Sequence, residues 1–188
     1  MNVNFFKIIN SMKIEFNIDL LSAEPVCSLT GREFEPIEGV TFVEQVAEYF
    51  AAQGGRAASV FGEVLLDRKG VQNSRHHGMS AVKRAAFAAV KDVLEQGVVI
   101  LPMGHHRDNK REATGMISAP ITIAGERYLG VVVVIWNLQV SRLYVHEAFI
   151  IKKLQAVVAD SPSSEEGSSL TQPQGDVAKV VTEFLKNK

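Results

Sequence analysis

An α+β fold, with N-terminal helices packed on a central antiparallel β-meander, is what the order of hydrophobic periods in this chain predicts. Two observations carry the expectation. Between Thr41 and Gly97 apolar residues recur at helical spacing, whereas beyond Gly97 they alternate or form short apolar runs separated by turns. A third bounds it. Of 188 residues, 46% are hydrophobic and 22% charged, the balance of a globular domain. No apolar run reaches the roughly 18 residues of a membrane span, so no membrane partner is expected.

Residues 1–24 are read as an N-terminal extension. Its start lacks a basic n-region and a small-residue cleavage site, so it is not a signal peptide, and Met12 serves as well as Met1 for the natural start. Loose alternation predicts one strand over residues 13–20. A turn-rich stretch follows from Pro25 to Gly39. Thr41 stands three residues before Glu44, the spacing of a capping box. Phe42, Val43, Val46, Ala47 and Phe50 then mark a helix that Gly54-Gly55 ends. Residues 61–66 form a short extended or strand segment. Ser80 caps the next helix, whose apolar positions run from Ala81 to Leu94 and which Gly97 stops. Lys83, Phe87 and Lys91 are four apart and share one face of it.

Residues 98–101 predict a short strand, and His105-His106-Arg107-Asp108-Asn109-Lys110 a polar turn. Residues 117–123, the Ala124-Gly125-Glu126 turn and residues 127–136 read as a β-hairpin. Val131 to Ile135 is apolar on both faces, as a central strand would be, and residues 143–150 return after a turn. Residues 161–169 are low in apolar side chains and predict a flexible linker. Residues 176–185 predict a terminal helix. The expected organisation is an extension (1–24), one α+β domain (25–158), and a linker with a short helix (159–188).

A single cysteine, Cys27, precludes an internal disulfide and fits a reducing cytoplasm. The net charge of −1 is unevenly spread. From Asp67 to Arg111 there are nine Lys and Arg against four acids, a local excess of five, and four of the five histidines fall in the same stretch. Ser74-Arg75-His76-His77-Gly78 stands just ahead of the helix that carries Lys83. Helix N-termini favour anions, and histidine exchanges protons near neutral pH. Metal-free RNA cleavage needs a base for the 2′-hydroxyl, an acid for the leaving 5′-oxygen, and a cation for the phosphate. His77 (or His76) suits the base, Lys83 and Arg75 the phosphate, and His146 the second titrating group. Ser118 shares a strand face with Pro120 and Thr122, and Tyr144 shares one with His146. No metal or other cofactor is expected, because neither His-Glu-x-x-His nor Cys-x-x-Cys occurs and adjacent histidines point apart.

Several ordered motifs resemble the large polyvalent protein-associated domain of the third type, found in phage and mobile-element proteins. They are Gly62-Glu63-Val64-Leu65-Leu66-Asp67, Gly70-Val71, Ser74 to Gly78, Lys83, Gly97-Val98-Val99-Ile100, Ala119-Pro120-Ile121 with Tyr128, and Leu143-Tyr144-Val145-His146-Glu147. Together they cover residues 25–154. Those domains look like members of the nuclease fold grouping that includes barnase, EndoU, colicin-type tRNases and RelE. The resemblance implies a barnase/EndoU-RelE-like fold and a metal-independent endoribonuclease, toxin- or effector-like, of a prophage or mobile element. Its alternative is a non-catalytic nucleic-acid- or protein-binding module. By motif, His77, Lys83, Ser118 and His146 carry over as catalytic residues. Arg75, His76, Arg111 and Tyr144 carry over as substrate-binding ones. The doubled histidine leaves His76 and His77 both open, with adjacency to Gly78 favouring His77. RNA and a phage or immunity protein are the partners implied.

Overall fold

A computed structural model of the chain describes Leu20 and residues 22–75, 79–106 and 109–152. The strand expected at 13–20 (bar Leu20, a turn residue), the linker at 161–169, the helix at 176–185, and His76 and His77 lie outside the described residues. In chain order the elements are β1 (Ser28–Leu29), α1 (Phe42–Ala52), β2 (Arg56–Ser59), β3 (Gly62–Leu65) and α2 (Arg68–Arg75). The segments Ala81–Ala85, Ala86–Ala89 and Val90–Gln96 follow one another as α3, with the middle one wound as 3₁₀ helix. Four strands complete the fold: β4 (Val98–His106), β5 (Asn109–Ile123), β6 (Glu126–Asn137) and β7 (Arg142–Lys152). No helix among the described residues is long and apolar enough to cross a membrane.

The helices begin where the local chemistry says they should. Thr41 accepts the Glu44 amide while the Glu44 carboxylate accepts the Thr41 amide (2.8 Å), which closes the capping box of α1. Ser80 Oγ accepts the Lys83 amide at the start of α3. Gly97 ends α3 for a different reason from the one its sequence suggests. Its backbone is extended (φ −77°, ψ 171°) rather than left-handed. A Cβ there would lie 2.3 Å from the Val93 carbonyl oxygen and 2.8 Å from that of Ser118. Glycine is required because α3 turns directly onto β5.

The sheet has seven strands in the order β1-β5-β6-β7-β3-β2, with β4 also paired to β5. Strands β4 to β7 form the expected antiparallel meander, and β5 and β6 turn at Ala124-Gly125. The whole sheet is mixed, however, which corrects the purely antiparallel expectation. β1 runs parallel to β5 (Ser28 opposite Thr122), and β3 runs parallel to β7 (Val64 opposite Leu143). Both parallel partners come from the N-terminal half and add to edges the meander leaves open. The strands β1 and β3 are two and four residues long, too short for a readable period. α2 has no counterpart in the sequence reading, because its residues are almost all polar. The polar turn at 105–110 is also shorter than expected, since β4 runs through His106 and β5 starts at Asn109.

The sheet is curled. Phe61, in the β2–β3 turn, lies so close to Gly115 on β5 that a Cβ there would fall 2.8 Å from its ring. β6 and β7 separate those strands in the sheet, so only strong curvature brings them together. The helices pack on one side of this curl. Val46 and Phe50 of α1 and Phe87, Val90 and Val93 of α3 join Ile117, Ile121, Val132, Val134 and Val145 in one apolar cluster. Burying a side chain such as Phe50 or Phe87 is worth about 1.5–3 kcal/mol. Met116, Leu129, Val131 and Val133, from the alternate positions, are buried too. β6 is thus apolar on both faces because both are covered, as expected of a central strand.

Candidate functional site at the α2–β7 contact

Parallel pairing of β3 with β7 delivers the chain from Leu65 straight into α2. Asp67 Oδ1 accepts the amides of Lys69 (2.9 Å) and Gly70 (3.3 Å) and so caps the helix. Gly70 then rests on β7, where an added Cβ would be 2.3 Å from the Val145 carbonyl oxygen. Val71 beside it is fully buried. This close contact sets two residues of α2, four apart, over two residues of β7. Lys69 Nζ lies 4.9 Å from the centre of the Tyr144 ring. Asn73 Nδ2 lies 3.2 Å from His146 Nδ1.

β7 is irregular at this point. Val133 pairs with Glu147 and Val134 with Val145, which leaves His146 as the extra residue of a β-bulge. Bulges re-aim a side chain, and here the imidazole meets Asn73. With the amide nitrogen donating, Nδ1 is the acceptor and the neutral ring carries its proton on Nε2. The amide turned over would present Oδ1 to an Nδ1–H instead. In either orientation the Asn73 amide engages the Nδ1 side of the ring.

Lys83 enters the same neighbourhood from the first turn of α3. Burial pushes its amine below the ordinary lysine value, and the nearby Glu147 carboxylate partly restores it. Glu147, the residue after His146, is 2% exposed. Tyr144 donates its hydroxyl to Glu112 on β5 (3.3 Å). Its phenol is pushed up to about 12, first by burial and then by the Glu112 carboxylate. The surroundings are of mixed charge: Lys69, Glu112 and Asp67 lie near Tyr144, and Glu147 acts on Lys83.

Of the residues the sequence singles out, the structure brings Lys83, Tyr144 and His146 to this contact. Arg111 is exposed at the start of β5, beside Glu112, and its carbonyl accepts the Leu138 amide. Ser118 sits elsewhere. It is 1% exposed, and its hydroxyl donates to the Gly130 carbonyl at 3.0 Å. Its row in the sheet runs through Val131 to Phe149, two strands over and three residues along from His146. Arg75 ends α2, but its side chain lies outside what the structure describes, as do His76 and His77. Residues that sequence reasoning missed are Lys69, Asn73, Glu112 and Glu147. Glu147 stands within the motif that carries His146. Asn73 immediately precedes the Ser74–Gly78 motif, but only tertiary structure pairs it with a histidine 73 residues away.

Among the described residues no group of three or more His, Cys, Asp or Glu side chains is arranged to hold a metal ion. Compared with protein-family models, with curated proteins and with solved structures, the chain matches none.

Proposed function

We propose that this protein is a metal-independent endoribonuclease of a prophage or other mobile element. Its site would be the α2–β7 contact, and His76 or His77, which follow α2 in the chain, would supply the second histidine. The observation that carries the reading is His146, set in a bulge, held by Asn73 and followed by Glu147, whose carboxylate acts on the Lys83 amine. The family resemblance supplies the substrate class. In the proposed reaction the 2′-oxygen attacks phosphorus, and the bond from phosphorus to the 5′-oxygen breaks. One histidine takes the 2′-hydroxyl proton and the other gives a proton to the leaving oxygen. A 2′,3′-cyclic phosphate results, and Lys83 supports the developing charge. Ser118, buried and hydrogen-bonded, has no part in this scheme.

The same burial of Ser118 favours a second reading, a nucleic-acid- or protein-binding module without catalysis. One experiment separates the two. Purified protein is incubated with total tRNA and a chelator over about pH 5 to 8, the range in which histidine titrates. Cleavage with cyclic-phosphate ends is expected. His146→Gln and His77→Ala should each lower the rate by about 10²–10⁴-fold, as loss of an acid–base group does. RNA left intact by the wild-type protein at every pH defeats the enzyme reading. Salt-dependent RNA binding without cleavage selects the module.

A further inference from the structure

One row of the sheet carries an exposed aromatic ring with basic residues beside it. His105, Ala113, Trp136 and Leu143 stand opposite one another across β4, β5, β6 and β7. Residues paired in this way share a face of the sheet. It is the face the helices cover, since Val134, two residues before Trp136, belongs to the apolar cluster. Burial ends between the two: Val134 is 0% exposed and Trp136 38%. Ala113 is small and buried, and Leu143 is half-buried. The indole and the exposed His105 imidazole are therefore the groups of this row that meet water.

Positive charge lies beside the row. From His105 to Arg111 the chain carries three Lys or Arg and two His against one acid. Arg111 is exposed and alternates onto the same face as Ala113. Its carbonyl accepts the Leu138 amide at 2.9 Å, which fixes it as the diagonal neighbour of Trp136. Long side chains reach one another across that diagonal. Glu112, between Arg111 and Ala113, alternates to the other face and accepts the Tyr144 hydroxyl. An indole beside a guanidinium suits a nucleotide, because the ring stacks on the base while the cation meets the phosphate. The excess of positive charge favours such a polyanion over a protein partner.

We propose that this row is a stacking platform for single-stranded RNA. A base lies against the Trp136 indole, and Arg111 meets the phosphate beside it. His105 borders the same surface two strands away. Leu143, at the end of the row, precedes His146 by three residues of β7, about 10 Å of strand. A strand of RNA held on the platform thus runs toward the proposed site of cleavage. The inference rests on the RNA reading above, but not on cleavage itself.

Trp136 is the only tryptophan, so its fluorescence reports on the row directly. The full chain is titrated with a 2′-O-methyl oligoadenylate of about ten nucleotides, a length that stacking surfaces span. The methyl group blocks attack by the 2′-oxygen, so binding is read whether or not the protein cleaves RNA. Saturable quenching that weakens as salt rises is expected. Heparin, a polyanion without bases, should not reproduce it. In anisotropy titrations of the dye-labelled oligonucleotide, Trp136→Ala should lower affinity about tenfold, and Trp136→Phe, which keeps a ring, should recover most of the loss. His105→Glu is an independent arm at an exposed position, where added negative charge should also weaken binding. No quenching by the oligonucleotide, which would leave the indole to a protein partner, overturns the proposal. So does equal quenching by heparin, or wild-type affinity in either Trp136→Ala or His105→Glu. Cleavage of tRNA without quenching defeats the platform alone, and quenching without cleavage defeats the nuclease alone.

Discussion

A histidine in a strand gives no hint, by its spacing, of whether it packs or reacts. At position 146 the difference is made by one surplus residue in β7 and an amide on α2. The imidazole was legible as a candidate because it stands in a motif, whereas its partner was not, because the contact is made only by folding. Ser118 shows the converse. A serine among apolar strand residues looks the same whether it faces solvent or, as here, gives its hydroxyl to the Gly130 carbonyl of the neighbouring strand. Tyr144 allows a test at this scale. Its folded value of about 12 lies above the ordinary value near 10. The neutral phenol therefore adds to stability below about pH 10, and that contribution is lost as the pH climbs toward 12. Burial is the larger cause and the Glu112 carboxylate the next. Glu112→Gln should bring the ionisation down, as followed by tyrosinate absorbance with Tyr144→Phe to assign the signal. An unmoved titration would remove Glu112 as a cause.

α1 and α3 announced themselves through caps and apolar spacing, and both begin at the residues their sequences mark. α2 did not. It is polar almost throughout and contains a glycine, a poor helix former. What holds it is tertiary: the Asp67 cap, the buried Val71, and a backbone laid against β7 at Gly70. Gly70→Ala therefore poses a clear contest. Alanine improves helix propensity by up to about 1 kcal/mol, but its methyl group has no room beside Val145. We expect the clash to win and the variant to lose about 1–3 kcal/mol, in the range of overpacking, as a lower urea midpoint. Equal or greater stability would mean that α2 does not bear on β7 in this way.

At the scale of the whole molecule, one apolar cluster draws on α1, α3 and the strands β2, β3, β5, β6 and β7. Such a core should melt as one. Trp136, the only tryptophan, lies between Ala113 and Leu143 near the end of β6. Its fluorescence and the amide signals of the β2–β3 hairpin should lose native character at the same denaturant concentration. Distinct midpoints would divide the sheet into separately stable parts. The meander was legible because consecutive strands joined by turns pair as neighbours. The parallel edges were not, because they join segments far apart in sequence. That last property has a consequence in time. Val64 pairs with Leu143, so the β2–β3 hairpin waits for about 79 more residues before its place in the sheet exists. At about 5–20 residues per second of synthesis, the delay is roughly 4–16 s. Throughout it the β3 edge that β7 will cover stays open on the nascent chain, and the mixed sheet closes only when the last strand arrives.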